Sequence, residues 1–175
     1  NRYIDQVDSL PSEVLLSLAE ALTSGNQPSS SLRALSQKLF ISASQGRLEE
    51  RELRRIAVAL NRSHNYQDTL ALIGRQLQLH PEWEHNASLL QLRGDSLLGL
   101  ATNCRRTGKN KHLLPDTRKR AWRDFHNYID RAERDLREAL LVSSEKSFVQ
   151  LIKRNLDYLE KLRRENRPPS SRKPQ

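Results

Sequence analysis

Between residues 50 and 81 the chain reads ERELRRIAVALNRSHNYQDTLALIGRQLQLHP, and its apolar residues return on two successive stripes. Leu53, Ile56, Ala57 and Leu60 fall at i, i+3, i+4 and i+7, the spacing of one helix face. The opposite face carries Arg51, Arg54, Arg55 and Arg62, and Glu49 and Glu50 stand where a helix dipole favours carboxylates. Residues 61–65 break the pattern with Asn, Ser and His, side chains that compete for backbone hydrogen bonds and favour turns. A second stripe follows at Tyr66, Leu70, Ile73 and Leu77, flanked by Leu72 and Leu79. Pro81 closes it, because proline cannot continue a helix interior and biases His80 away from helical angles. Two helices joined by so short a turn lie antiparallel, each burying its stripe.

The same periodicity predicts helices along the rest of the chain. One runs from the Pro11-Ser12-Glu13 signal to about Thr23, with Val14, Leu15, Leu18, Ala21 and Leu22 inward and Gly25 as its stop. The next begins at Ser30 or Ser31 and carries Leu32, Leu35, Leu39 and Ala43 to Gly46. After Pro81 a longer helix starts near Glu82 and bears Trp83, Ala87, Leu90, Leu97 and Leu100. Gly94 inside it allows a second helix to come close. Pro115 and Asp116 open a helix to about Leu141, striped by Trp122, Phe125, Ile129, Ala132, Leu136, Ala139 and Leu140. A final helix restarts at residues 143–145 with Phe148, Leu151, Ile152, Leu156 and Leu159, and closes at Asn166 before Pro168 and Pro169. No strand pattern competes, so the expected class is all-α with about seven helices.

The 50–81 hairpin resembles a tetratricopeptide repeat. With Pro81 on the family's terminal proline, Leu53, Ile56 and Leu60 take the large apolar places of the first helix and Ala57 the small one. Asn65 and Tyr66 match the polar–aromatic pair that opens the second helix, and Ile73, Leu77 and Leu79 its apolar places. Thr69 and Gln76 stand where the family has alanine, and His64 where it has glycine. The resemblance implies antiparallel hairpins stacked as a short solenoid over residues 1–166. Its parts are a degenerate hairpin at 11–46, the best repeat at 50–81, an elongated hairpin at 82–141 and a capping helix at 144–166. A disordered basic tail follows at 167–175. The resemblance also implies that ligand-contacting side chains project from the first helix onto a concave face: Arg51, Arg54, Asn61 and Arg62. Guanidinium groups there suit an acidic peptide or a carboxylate terminus. Val58 stands where the family's carboxylate clamp has asparagine, which separates this face from a chaperone-tail clamp. A solvated face, paired with Glu49, Glu50 and Glu52, accounts for the same arginines.

Charge adds a second candidate. The net charge is +9. Between positions 105 and 123, Arg105, Arg106, Lys109, Lys111, Arg118, Lys119, Arg120 and Arg123 face only Asp116, a net +7. From Arg163 onward the net is +4, which leaves −2 for everything else. Such a cluster suits phosphate, gripped without sequence reading, and a solvated helix end explains it equally.

Catalytic constellations are missing from the sequence. Thr107-Gly108-Lys109 has neither the upstream glycine nor the following hydroxyl of a phosphate loop. The five histidines (His64, His80, His85, His112, His126) show no i, i+4 pair and no cysteine at zinc spacing. Cys104, the single cysteine, suits a reducing compartment and reads as structural, although Arg105 and Arg106 would activate it if they lay close. No enzyme activity, metal, cofactor or small-molecule substrate is expected. No apolar run reaches the length of a membrane span, and no leader pattern opens the chain. A cytoplasmic setting is expected, and the chain, which begins at Asn1, reads as part of a longer protein. The expected role is a protein-interaction scaffold that binds an acidic partner segment, with nucleic-acid binding through 105–123 and the tail as the second reading.

Overall fold

The computed structural model describes residues 11–23, 38–39, 42 and 47–166. Every regular element among them is helical: α1 (Ser12–Thr23), α2 (Glu50–Arg62), α3 (Tyr66–Leu79), a 3-10 turn (Pro81–Trp83), α4 (Ala87–Lys109), α5 (Pro115–Val142) and α6 (Lys146–Glu165). The all-α class is therefore correct, but six helices stand among the described residues where about seven are expected. Of the helix expected to end at Gly46, only Lys38, Leu39 and Ser42 are described; residues 1–10 and the 167–175 tail lie outside. The chain divides into two compact units, 1–84 and 85–175.

In the first unit, α2 buries Leu53, Ile56, Ala57 and Leu60, the stripe its periodicity predicts. Two other stripes differ from expectation. α1 buries Leu15, Leu16 and Ala19, while Val14 and Leu18 are exposed; its sequence is apolar around most of the helix, so spacing alone does not choose a face. α3 buries Thr69, Leu72, Ile73 and Gln76 rather than Tyr66, Leu70 and Leu77. The two buried polar residues are both satisfied. Thr69 Oγ1 donates to the Asn65 carbonyl at 3.2 Å, and Gln76 Oε1 accepts the Leu48 N–H at 3.1 Å. Gln76 thus ties the segment entering α2 to the last turn of α3, a task alanine cannot perform.

The α2–α3 turn explains the third departure from the repeat pattern. The N–H of Asn65 bonds the Leu60 carbonyl at 2.9 Å and that of His64 the Asn61 carbonyl at 3.0 Å. That is a Schellman ending, whose residue after the cap adopts left-handed angles. His64 has φ 62°, so histidine occupies a place that favours glycine, and its Nδ1 lies 2.8 Å from the Tyr66 hydroxyl. Gly74 is the opposite case. A methyl group added there meets nothing within 4 Å, so Gly74→Ala is expected to stabilise the first unit by about 1 kcal/mol. A higher urea midpoint would show it.

The second unit is a long α4–α5 hairpin on which α6 packs. α5 buries Phe125, Ile129, Ala132, Leu136 and Ala139 of its expected stripe, with Ala121 and Asp135 besides, while Trp122 and Leu140 are half-buried. α4 buries Leu89, Leu90, Leu97 and Ala101, and α6 buries Ile152, Leu159 and Leu162. A Cβ at Gly94 would lie 2.8 Å from Leu136 Cγ, so the missing side chain lets the helices approach. α4 begins at Ala87 rather than near Glu82. Pro81 starts a 3-10 turn, and Asn86 caps α4 by accepting the Ser88 and Leu89 N–H groups at 3.0 and 3.2 Å.

Candidate binding faces

The arginines assigned to the ligand lie on the solvent side of α2, opposite Leu53, Ile56 and Leu60. Arg51, Arg54 and Arg62 are exposed, Asn61 is half-buried, and helix geometry sets Arg51 and Arg62 about 16 Å apart along one line. None of the three arginines has an ion pair or side-chain hydrogen bond among the described residues. At the helix start, Glu52 Oε2 accepts the Glu49 N–H at 3.1 Å, a capping contact.

His80 is only 7% exposed. It stacks on Trp83 with ring centroids 3.9 Å apart and planes 3° from parallel. Arg47 Nε donates to His80 Nε2 at 3.0 Å and its Nη2 lies 3.3 Å from Nδ1, which in turn lies 3.0 Å from Glu82 Oε1. A hydrogen bond from its own backbone, and then the one from His80, hold the Glu82 carboxyl below its usual range. This cluster closes the end of α3. Sequence spacing carries no sign of it, because Arg47 and His80 are far apart along the chain.

The 105–123 cluster is split by the fold. Arg105 turns inward, donating to Glu165 Oε2 at 2.8 Å and to Asn166 Oδ1 at 3.2 Å. Arg118 donates to the Gly108 carbonyl at 3.2 Å, satisfying an end carbonyl of α4. Trp122 packs on Gly108 and meets Phe125 edge-on at 5.5 Å, so it is a packing residue. Arg106, Lys109, Lys111, Lys119 and Arg120 remain exposed, and none has an ion pair among the described residues. Arg123 approaches Asp124 at 3.8 Å.

Further along α5, Arg163 of α6 bridges Asp130 at 2.7 Å and Glu133 at 2.6 Å. Burial pulls the Glu133 carboxyl up, but hydrogen bonds from Arg163 and Arg137 outweigh it and hold it low. Beyond 123, the exposed Arg131 and Arg134 form no charge run, because carboxylates alternate with them in sequence. Cys104 is half-buried, and burial, with Asp124 adding to it, pushes its thiol up rather than activating it.

Among the described residues, no three His, Cys, Asp or Glu side chains gather as a metal set. No helix among them is long and apolar enough to cross a membrane. No protein-family model matches the chain, and no curated protein or solved structure is found to be similar to it.

Proposed function

We propose that this chain is a protein-interaction module whose first unit offers the outer face of α2 to an acidic polypeptide segment. The observation that carries this reading is that Arg51, Arg54 and Arg62 are unpaired among the described residues, in a unit whose sequence is slightly acidic overall. Residues 1–84 hold 9 Lys and Arg against 10 Asp and Glu, yet one face of α2 keeps three exposed guanidinium groups. A rigid helix holds them in register, so little ordering is required when a carboxylate arrives. The tetratricopeptide-like residues of 50–81, with Ala57 buried in α2 as the small position requires, support the same role.

The test is fluorescence anisotropy with a labelled twelve-residue Asp/Glu-rich peptide bearing a free C-terminal carboxylate. The triple variant Arg51→Glu, Arg54→Glu, Arg62→Glu is expected to weaken binding by at least about tenfold, about 1.4 kcal/mol. A variant of α6, Lys153→Glu with Arg154→Glu, is expected to change it little. If the triple variant binds as tightly as the parent chain, the α2 face is not the site.

A further inference from the structure

The outer face of α5 carries a row of arginines that packing does not use. At about 100° per residue, Arg120, Arg123, Asn127, Arg131 and Arg134 lie within about 40° of one line, diametrically opposite the buried Phe125–Leu136 side. All five are exposed. Apart from the 3.8 Å approach of Arg123 to Asp124, they have no ion pair or side-chain hydrogen bond among the described residues. Neighbouring carboxylates are engaged elsewhere: Asp130 and Glu133 by Arg163, and Asp135 by Arg93. Asp116 and Glu138 bound the row at its ends. Residues 85–175 hold 21 Lys and Arg against 11 Asp and Glu, a net +10, whereas residues 1–84 stand at −1. The positive charge of the protein is therefore a property of this unit.

We infer that this face is a docking surface for the phosphate backbone of a B-form DNA duplex, with α5 lying along the major groove. A helix with its side chains is about 10–12 Å across, and that groove is about 12 Å wide. Arg120 and Arg131 project to one flank and Arg123 and Arg134 to the other. Each pair spans about 16 Å of axis, so the two flanks reach phosphates on both sides of the groove. Asn127 sits at the centre, facing the groove floor.

Other partners fit less well. From Arg120 to Arg134 the outward line has no apolar or aromatic residue, so it lacks the anchor of a protein interface. It also lacks the stacking platform that holds single strands. The major groove of duplex RNA is too narrow to admit a helix. Of the 105–123 cluster, only Arg120 and Arg123 belong to this row, and Arg105 and Arg118 are occupied inside the unit.

The experiment is anisotropy of the full chain with a labelled 16-base-pair DNA duplex, from about 50 to 200 mM salt. The same-sequence single strand, an RNA duplex and poly-glutamate serve as competing probes. The DNA duplex is expected to bind tightest, and Arg131→Glu with Arg134→Glu to weaken it at least about tenfold. Arg131→Gln with Arg134→Gln should lower the salt slope by roughly two, one for each phosphate left without its guanidinium. Lys153→Glu with Arg154→Glu makes the same charge change on α6 and is expected to cost less than about threefold. Circular dichroism confirms that each variant is folded. The inference is overturned if the duplex fails to bind at the lowest salt, or if the α5 and α6 charge reversals weaken it equally. Tighter binding of the single strand or of the RNA duplex overturns it as well.

Discussion

Arg93→Met is expected to destabilise the second unit by about 3–5 kcal/mol. Arg93 on α4 grips Asp135 on α5 through two parallel bonds, Nε to Oδ2 at 2.6 Å and Nη2 to Oδ1 at 2.8 Å. Asp135 is only 6% exposed. Removing the guanidinium leaves a carboxylate that water cannot reach, so the loss greatly exceeds the net worth of the pair. The double variant Arg93→Met, Asp135→Leu removes both charges and is expected to recover most of the loss. Urea unfolding followed by Trp122 fluorescence in a Trp83→Phe background reports this unit alone. A double variant as unstable as the single one would show that the pair acts through shape rather than charge.

The next largest effect is one of pH. Asp95 of α4 accepts hydrogen bonds from Asn155 Nδ2 of α6, at 2.5 Å, and from Gln91 Nε2. Burial raises its pKa from 3.8 to about 7, against the opposing pull of the Asn155 bond. Between these values the folded chain keeps a proton that the unfolded chain has lost. Stability from this group is therefore complete below about pH 4 and is lost as pH rises through about 7. The full effect is on the order of 4 kcal/mol. Asp95→Asn cannot ionise; its Oδ1 accepts from one of the two amides, and its NH2 donates to the other once that partner, Gln91 or Asn155, turns its amide oxygen inward. Compared with the parent chain, it is expected to be nearly equal at pH 4.5 and clearly more stable at pH 8. Urea midpoints that differ by the same amount at both values would contradict this.

Where the sequence contrasts one helix face with the other, the fold is legible. α5 alternates arginines with Phe125, Ile129, Ala132 and Leu136, so only one side can face a core, and that side does. α1 offers no such contrast: of its expected stripe Leu15 is buried while Val14 and Leu18 are exposed. The buried face of α3 is hidden because Gln76 is polar. Its burial depends on the Leu48 N–H, 28 positions away, which no periodicity reveals. The candidate sites divide in the same way. Exposed arginines on α2 follow from helix spacing. Counting charges along the chain, however, groups Arg105 with Arg106, although Glu165 draws the first inward and leaves the second in solvent. Arg131 and Arg134 stay hidden for the converse reason. Asp130, Glu133 and Asp135 dilute them in sequence but are engaged with Arg163 and Arg93 in space.

The most direct test of the interaction role is an amide chemical-shift map of the full chain titrated with the acidic twelve-residue peptide. The account predicts saturable shifts concentrated on Arg51, Arg54, Val58, Asn61 and Arg62, with α6 unmoved. Shifts confined to the second unit, or none across the titration, would contradict it.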